Sequence, residues 1–487
     1  MKIRYLWSSA AAALLVAATL AGCGGTTYFA GRNLPPSGLT NRVLITIQNP
    51  GALAKGLLEF VDAYYDRRSG FKGLPPSYSI SGYSGALPIT IQNLPEEQLG
   101  LVYGFGDGSF VPVKYGSEST NGTTGGLNGL SASIFITLSQ NYIFAASQNS
   151  HLLTVVDHTS NASFSLSLPG IYRVSVNPGG SMALAFVQNS NYVYYPVKLS
   201  AAQTTNYSGG PVTWPKAAVD CEPLNSPAWC LFQAQSPDNT DATGNHWGAP
   251  LVFDRPVKAV FSSDGGTAYV LNCGPECGGA KASVSSLPVA PMIFLVGQGS
   301  GLLPTNATLT SSNVLVPGGA SNALVDSSTL YVVGQQLQQS SGLFTGNLTS
   351  INLSTSAASS AVSISDGAPG AMSRMIEADN NTLWVGMTKC NNGVRANSGQ
   401  AYGCLTMLNI SNPSLPTVTM LEPYLGDATG IAAVTGLNKI YTAEGGQVYI
   451  YSTADGTAID NQYVTVTGTA YDVAYMDATT DANNTVY

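Results

Sequence analysis

Short runs of alternating apolar and polar residues recur along the chain, rich in Val, Ile, Tyr and Thr and broken by Gly, Asn, Asp and Ser. A period of two marks β-strands, and the breakers mark the turns between them. The same unit, a strand, a polar turn and a second strand, is found in SIFITLSQNYIFAAS (133–147), RVSVNPGGSMALAFV (173–187) and KAVFSSDGGTAYVLN (258–272). It returns in NALVDSSTLYVVG (322–334), RMIEADNNTLWVG (374–386), GIAAVTGLNKIYTAE (430–444) and DVAYMDATTDANNTVY (472–487). Helical periodicity is almost absent beyond residue 41, so the pattern predicts an all-β protein.

The starts of these seven copies lie 40, 85, 64, 52, 56 and 42 residues apart. The shortest intervals match the roughly 40–45 residues of a four-stranded propeller blade. The longer ones hold insertions, the largest spanning 201–255. The seventh copy has room for only part of a blade, so a closed ring needs strands from the other end of the chain. NRVLITIQN (41–49) and LLEFVDAYY (57–65) are suitable donors. A further hairpin, LGLVYGFGDGSFVPVKYG (99–116), has an Asp-Gly turn between its strands. It belongs either to the closing blade or to an eighth. The expectation is a seven-bladed β-propeller over 42–487, with eight blades as the alternative.

TAYVLN (267–272), TLYVVG (329–334), TLWVG (382–386) and KIYTAE (439–444) resemble the second strand of the YVTN-type propeller repeat. That repeat occurs in exported bacterial and archaeal proteins, including lactonase-like seven-bladed propellers. The resemblance covers most of 130–487 through short, degenerate matches. It implies the fold and export, with a channel site of lactonase-like or other hydrolytic type as one functional alternative. Activity does not follow from fold.

The first 23 residues, MKIRYLWSSAAAALLVAATLAGC, place Lys2 and Arg4 before an apolar run, the pattern of a secretory signal too short to span a membrane. Leu20-Ala21-Gly22-Cys23 resembles a bacterial lipobox. That resemblance implies a signal peptide over 1–22, lipidation of Cys23 and a flexible tether over 23–41. Acyl chains contribute about 0.8 kcal/mol per buried methylene, so several of them anchor stably. Gly24 after the cysteine is compatible with transfer to the outer membrane, on its periplasmic face or the cell surface.

Removing residues 1–22 leaves 17 basic against 27 acidic side chains, a formal charge of −10. Nucleic-acid binding, which needs a basic surface, is excluded. Charged residues make up 9% of the chain, against about 25% in typical domains; uncharged polar residues and glycine cover the surface instead. Besides Cys23 there are six cysteines in three local pairs, Cys221 and Cys230, Cys273 and Cys277, Cys390 and Cys404. In an exported chain an even set reads as a disulfide framework, and nearest-neighbour pairing is the simplest of its 15 connectivities. The staples are expected to pin surface loops.

Candidate chemistry is sparse. Cys273 and Cys277 lack nearby histidines for a zinc site, and His246 lies in an insertion. No G-x-S-x-G elbow occurs. Glu377, Asp379 and Asp264 sit next to turns, where Asp is common for local hydrogen bonding. The segment 61–73 gathers Tyr64, Tyr65, Arg67, Arg68 and Phe71, a candidate contact patch because aromatics and Arg favour interfaces. The Asn-x-Ser/Thr sites, such as Asn161 and Asn306, read as turn polarity. A quinone-dependent propeller is disfavoured by the lack of regular Trp repeats. The sequence thus favours a monomeric envelope lipoprotein, anchored to the membrane, that binds an envelope protein or polysaccharide. It calls for no catalytic residue, metal or cofactor.

Overall fold

The computed structural model describes residues 34–70, 77–120, 127, 129–137, 141–157, 159–198, 218–223, 228–235, 239–240, 246–247, 250–289, 312–365, 371–390, 402–422, 426–459 and 464–479. Cys23, the signal segment, Phe71, His158 and Asn306 lie outside them, as does the side chain of His246. Among the described residues no helix is long and apolar enough to cross a membrane.

The described strands form eight antiparallel blades and one separate two-stranded ribbon. The expected seven blades are therefore one too few. Residues 88–120 make a blade of their own, blade 1, whose innermost strand Pro88–Leu94 pairs with Leu99–Gly104 of the hairpin. The innermost strands of blades 2 to 5 are Ser133–Ile136, Ile171–Val176, Pro256–Phe261 and Asn322–Asp326. Those of blades 6 to 8 are Ala371–Ala378, Ala428–Val434 and Thr469–Tyr475.

Blade 8 closes the ring. Thr469–Tyr475 pairs with Arg42–Gln48, which pairs with Gly56–Asp62, and Tyr78–Ser79 forms the outer edge. Arg42 secures the junction. It is fully buried between Asp477 at 2.6 Å and Glu118 of blade 1 at 2.8 Å. Of the segment expected to be a tether, residues 34–41 lie against the domain: Ser37 donates to Glu118 through its backbone N–H (2.9 Å) and its hydroxyl (2.5 Å).

The core consists of eight apolar clusters, each between two neighbouring blades. Alternation explains this: along Arg42–Gln48, Val43, Ile45 and Ile47 face blade 7 while Leu44 faces blade 1. Both faces of a blade are buried, so the strands are richer in apolar residues than half-exposed ones.

All three local cysteine pairs are disulfides. Two are not surface staples. Cys221–Cys230 joins directly paired strands of blade 3, Ala218–Glu222 and Trp229–Gln233, so part of the insertion is built into the sheet. Cys390–Cys404 joins the second and third strands of blade 6, and both cysteines are buried between blades 5 and 6. Cys273–Cys277 closes a single 3-10 turn after the second strand of blade 4.

Candidate functional site

The innermost strands converge on a cavity of about 1070 Å³. Six of them carry a β-bulge at the same height, where Ile89, Tyr172, Val257, Ser373, Thr429 and Tyr471 have no partner across the ladder. A bulge re-aims the side chains beside it and leaves its own backbone groups without ladder partners. Buried carbonyls need donors, and here the preceding blade supplies them. Tyr172 donates its hydroxyl to the Val257 carbonyl at 3.2 Å, and Arg374 Nε donates to the Thr429 carbonyl at 3.0 Å.

The residues that follow the bulges are Thr90, Arg173, Lys258, Arg374, Gly430 and Asp472. In blades 2 and 5, which pair without a bulge, Ser133 and Asn322 take the same position. The eight blades thus present one ring: Thr, Ser, Arg, Lys, Asn, Arg, Gly, Asp. It carries three cations and one carboxylate inside a chain of formal charge −8.

Arg374 reaches past blade 7 along the ring. Its Nη2 donates to Asp472 of blade 8 at 3.1 Å and to Thr90 of blade 1 at 3.3 Å. Gly430 makes room for this: a Cβ there would lie 2.6 Å from Asp472 Oδ1 and 2.7 Å from its Cα. Asp472 is fully buried and also accepts the Ile91 backbone N–H at 2.8 Å. Lys258 Nζ donates to Asn322 Oδ1 at 2.8 Å. Burial, with Arg173 and Arg374 beside it, pushes the Lys258 amine well below the ordinary lysine range. Arg173 is half-buried, its guanidinium 5.7 Å from the Tyr172 ring centre.

Carboxylates gather at the other end of the same strands. Asp326 ends the inner strand of blade 5, and burial together with Asp326 raises the Glu377 carboxyl on blade 6. The other candidates are turn residues: Asp379 accepts from the backbone of Gly436 and Asn438, and Asp264 from Ser262 and Gly266. Among the described residues no group of three or more His, Cys, Asp and Glu could hold a metal. Asn161 sits at φ 55° in an exposed turn.

The aromatic segment lies outside the channel, on the outer loop of blade 8. Tyr64 and Tyr65 are 60% and 52% exposed and meet edge to face at 4.9 Å. The Arg67 guanidinium stands 5.1 Å from the Tyr65 ring centre, and Arg68 pairs with Glu59 at 3.0 Å. Asp66 fastens the loop by accepting from Lys439 at 2.6 Å and from the Tyr441 hydroxyl.

The ring was missed in the sequence, though its signal is there. The seven copies, as divided above, begin with Ser133, Arg173, Lys258, Asn322, Arg374, Gly430 and Asp472. In a chain with so few charges, Arg, Lys, Arg and Asp at one repeat position is the trace of a shared site.

No protein-family model matches the chain, and no curated protein sequence matches it. Solved structures align with it in shape. A putative 6-phosphogluconolactonase from Bacteroides uniformis does so at 12% identity over 89% of this chain and 99% of its own, with a TM-score of 0.44. One from Bacteroides fragilis aligns at 9% identity over 89% and 97%, with a TM-score of 0.41. Dihydro-heme d1 dehydrogenase aligns at 9% identity over 92% and 79%, with a TM-score of 0.49. Similarity at this level concerns fold alone, and the chain is an all-β propeller.

Proposed function

We propose that the chain is an exported, lipid-anchored propeller that serves as a binding module of the cell envelope and takes its ligand at the ringed mouth of its channel. The observation that carries this reading is the ring itself. Four of the bulged strands bring Thr90, Arg173, Lys258 and Arg374, with Ser133 and Asn322 of the two unbulged strands, to the lining of a cavity of about 1070 Å³, the size and polar convergence of a small-molecule site. The leader ending in Cys23 supports export and anchoring at the outer membrane. Exposed Tyr64 and Tyr65 on the outer loop offer a second contact, for an envelope protein or polysaccharide.

A hydrolytic reading draws on Glu377 and Asp326, a carboxylate pair with a raised member. It has less support, because the carboxylate on the ring, Asp472, is committed to Arg374 and backbone amides.

Two variants test the proposal. Cys23→Ala should move the protein from the membrane fraction to the soluble one; retention on the membrane refutes the anchor. Ala132→Trp fills the mouth without altering a charge, since Ala132 is exposed and lines the cavity. Peptidoglycan fragments and envelope oligosaccharides that raise the melting temperature of the native chain should leave Ala132→Trp unmoved. A fragment that stabilises both equally does not use the channel.

A further inference from the structure

We infer that Asp326 and Glu377, with the hydroxyl of Tyr331, hold a calcium ion between blades 5 and 6, at the end of the channel away from the ring. The site is separate from the mouth and stands whether or not the mouth takes a ligand.

Register brings the three side chains together. Asp326 ends the inner strand of blade 5, four residues beyond Asn322, and Glu377 lies three residues beyond Arg374 on the inner strand of blade 6. At about 3.3 Å per residue, both stand about 10 Å or more from the ring. Leu324, two residues before Asp326, pairs with Tyr331 of the next strand, Thr329–Leu337, so Asp326 and Tyr331 share a face of blade 5. On blade 6, Met375 lies two residues before Glu377, and Leu383 is the partner of Glu377 across the ladder. Leu324, Tyr331, Met375 and Leu383 all pack in one cluster between the two blades. The two carboxylates therefore meet across this seam.

No positive side chain relieves them. Neither Asp326 nor Glu377 forms an ion pair among the described residues. The Glu377 carboxylate has no hydrogen bond there, and Asp326 accepts from the Ser327 hydroxyl alone, at 3.1 Å. Like charges held close in a half-buried place disfavour ionisation of both. A cation between them turns that repulsion into attraction.

Tyr331 indicates where the cation sits. Its side chain is fully buried, and its hydroxyl has no hydrogen-bond partner among the described residues, which is rare for a buried polar group. Burial, with Asp326 and Glu377 beside it, pushes that hydroxyl above the ordinary tyrosine range. Three oxygen-bearing groups thus approach one another without a hydrogen bond between any two.

A purely oxygen set suits a hard cation. The carboxylate oxygens and the phenol leave room for water within the roughly six to eight positions of calcium, which accepts irregular geometry where magnesium demands a near-ideal octahedron. Two carboxylates are few, so the dissociation constant should fall at about 0.1–1 mM, the range of extracellular calcium modules. When bound, the ion links the inner strand of one blade to that of the next.

Isothermal titration of the full chain, stripped of divalent ions on a chelating resin, with calcium chloride at constant ionic strength tests this. One calcium per chain should bind, and magnesium more weakly. Glu377→Gln and Asp326→Asn should each lower calcium affinity about tenfold or more, and Tyr331→Phe about threefold. Circular dichroism establishes that the variants are folded. Without calcium, both amide variants should melt no lower than the native chain, because they remove the repulsion. Calcium should raise the melting temperature of the native chain and leave that of Glu377→Gln unmoved. Absence of calcium binding by the native chain overturns the inference. So does binding that Glu377→Gln and Asp326→Asn retain at native affinity, which would place the ion elsewhere on the acidic surface.

Discussion

Arg42 and Asp477 meet across 435 residues of sequence in a buried fork: Arg42 donates to Asp477 through Nε at 3.0 Å, Nη2 at 2.6 Å and its own backbone N–H at 2.7 Å. Its Nη1 serves blade 1, donating to the Tyr115 carbonyl and to Glu118, each at 2.8 Å. One side chain thus ties three segments at the seam where the ring closes. Arg42→Met would leave two carboxylates buried beside an apolar group. The expected cost is about 3–5 kcal/mol, read as a fall in the urea midpoint. A loss below about 1 kcal/mol would show that the seam does not depend on this fork.

Gly430→Ala separates packing from charge. The added methyl group would press on Asp472 Oδ1 and the Asp472 backbone, at 2.6 and 2.7 Å, so Asp472 and Arg374 would both have to shift. We expect a loss of about 2 kcal/mol or more, in line with overpacking a tight site. Gly116→Ala, where a Cβ meets nothing within 4 Å, is the control and should be close to neutral. Equal melting temperatures for the two variants would mean the channel seam is soft.

Lys258 should make the fold less stable than it could be. Its amine sits well below the ordinary lysine range, so between that depressed value and about 10.4 the unfolded chain holds the proton more often than the folded one. Stability therefore rises with pH across this window. Lys258→Met should flatten that slope and raise stability by about 1 kcal/mol or more at neutral pH. Calorimetry at several pH values reads both effects; a variant with the native slope would place the amine in water.

The disulfides should rank by the loops they close, which separate their cysteines by 14, 9 and 4 residues. On the chain-entropy account, replacing both cysteines by Ala should cost about 3 kcal/mol at Cys390–Cys404 and about 2 kcal/mol at Cys273–Cys277, with Cys221–Cys230 between. Alkylation before and after reduction, followed by peptide mass mapping, should find all six thiols blocked until reduction and each linked to its nearest neighbour.

The sequence reading reached the architecture but not the blade count, for a local reason. Each of the seven copies opens with an inner strand that is largely apolar beyond its first residue, whereas the inner strand of blade 1 starts at Pro88 and includes Gln92 and Asn93. Those two residues are polar because they serve neighbouring blades: Gln92 bonds both backbone groups of Ile136, and Asn93 donates to the Tyr475 carbonyl. Their pattern therefore reads as a loop. The closing strands were legible because Arg42–Gln48 and Gly56–Asp62 are apolar on both faces. The ring was not, since nothing in one copy says that its first residue faces seven others. Only the bulges, which depend on hydrogen-bond register, bring Arg173, Lys258 and Arg374 to one height. Likewise the staples were read as surface features because cysteine spacing reports loop length and not depth.

The closing blade also sets an order of events. Arg42–Gln48 is among the first strands made, yet its partner Thr469–Tyr475 is among the last. Until that partner arrives, Val43, Ile45 and Ile47 lack Val473 and Tyr475 to pack with, and one edge of the strand offers unpaired amides and carbonyls. Open apolar edges of this kind recruit other chains. The ring is thus most exposed to aggregation while it is complete but for a single strand, and whatever delays the last seam lengthens that interval.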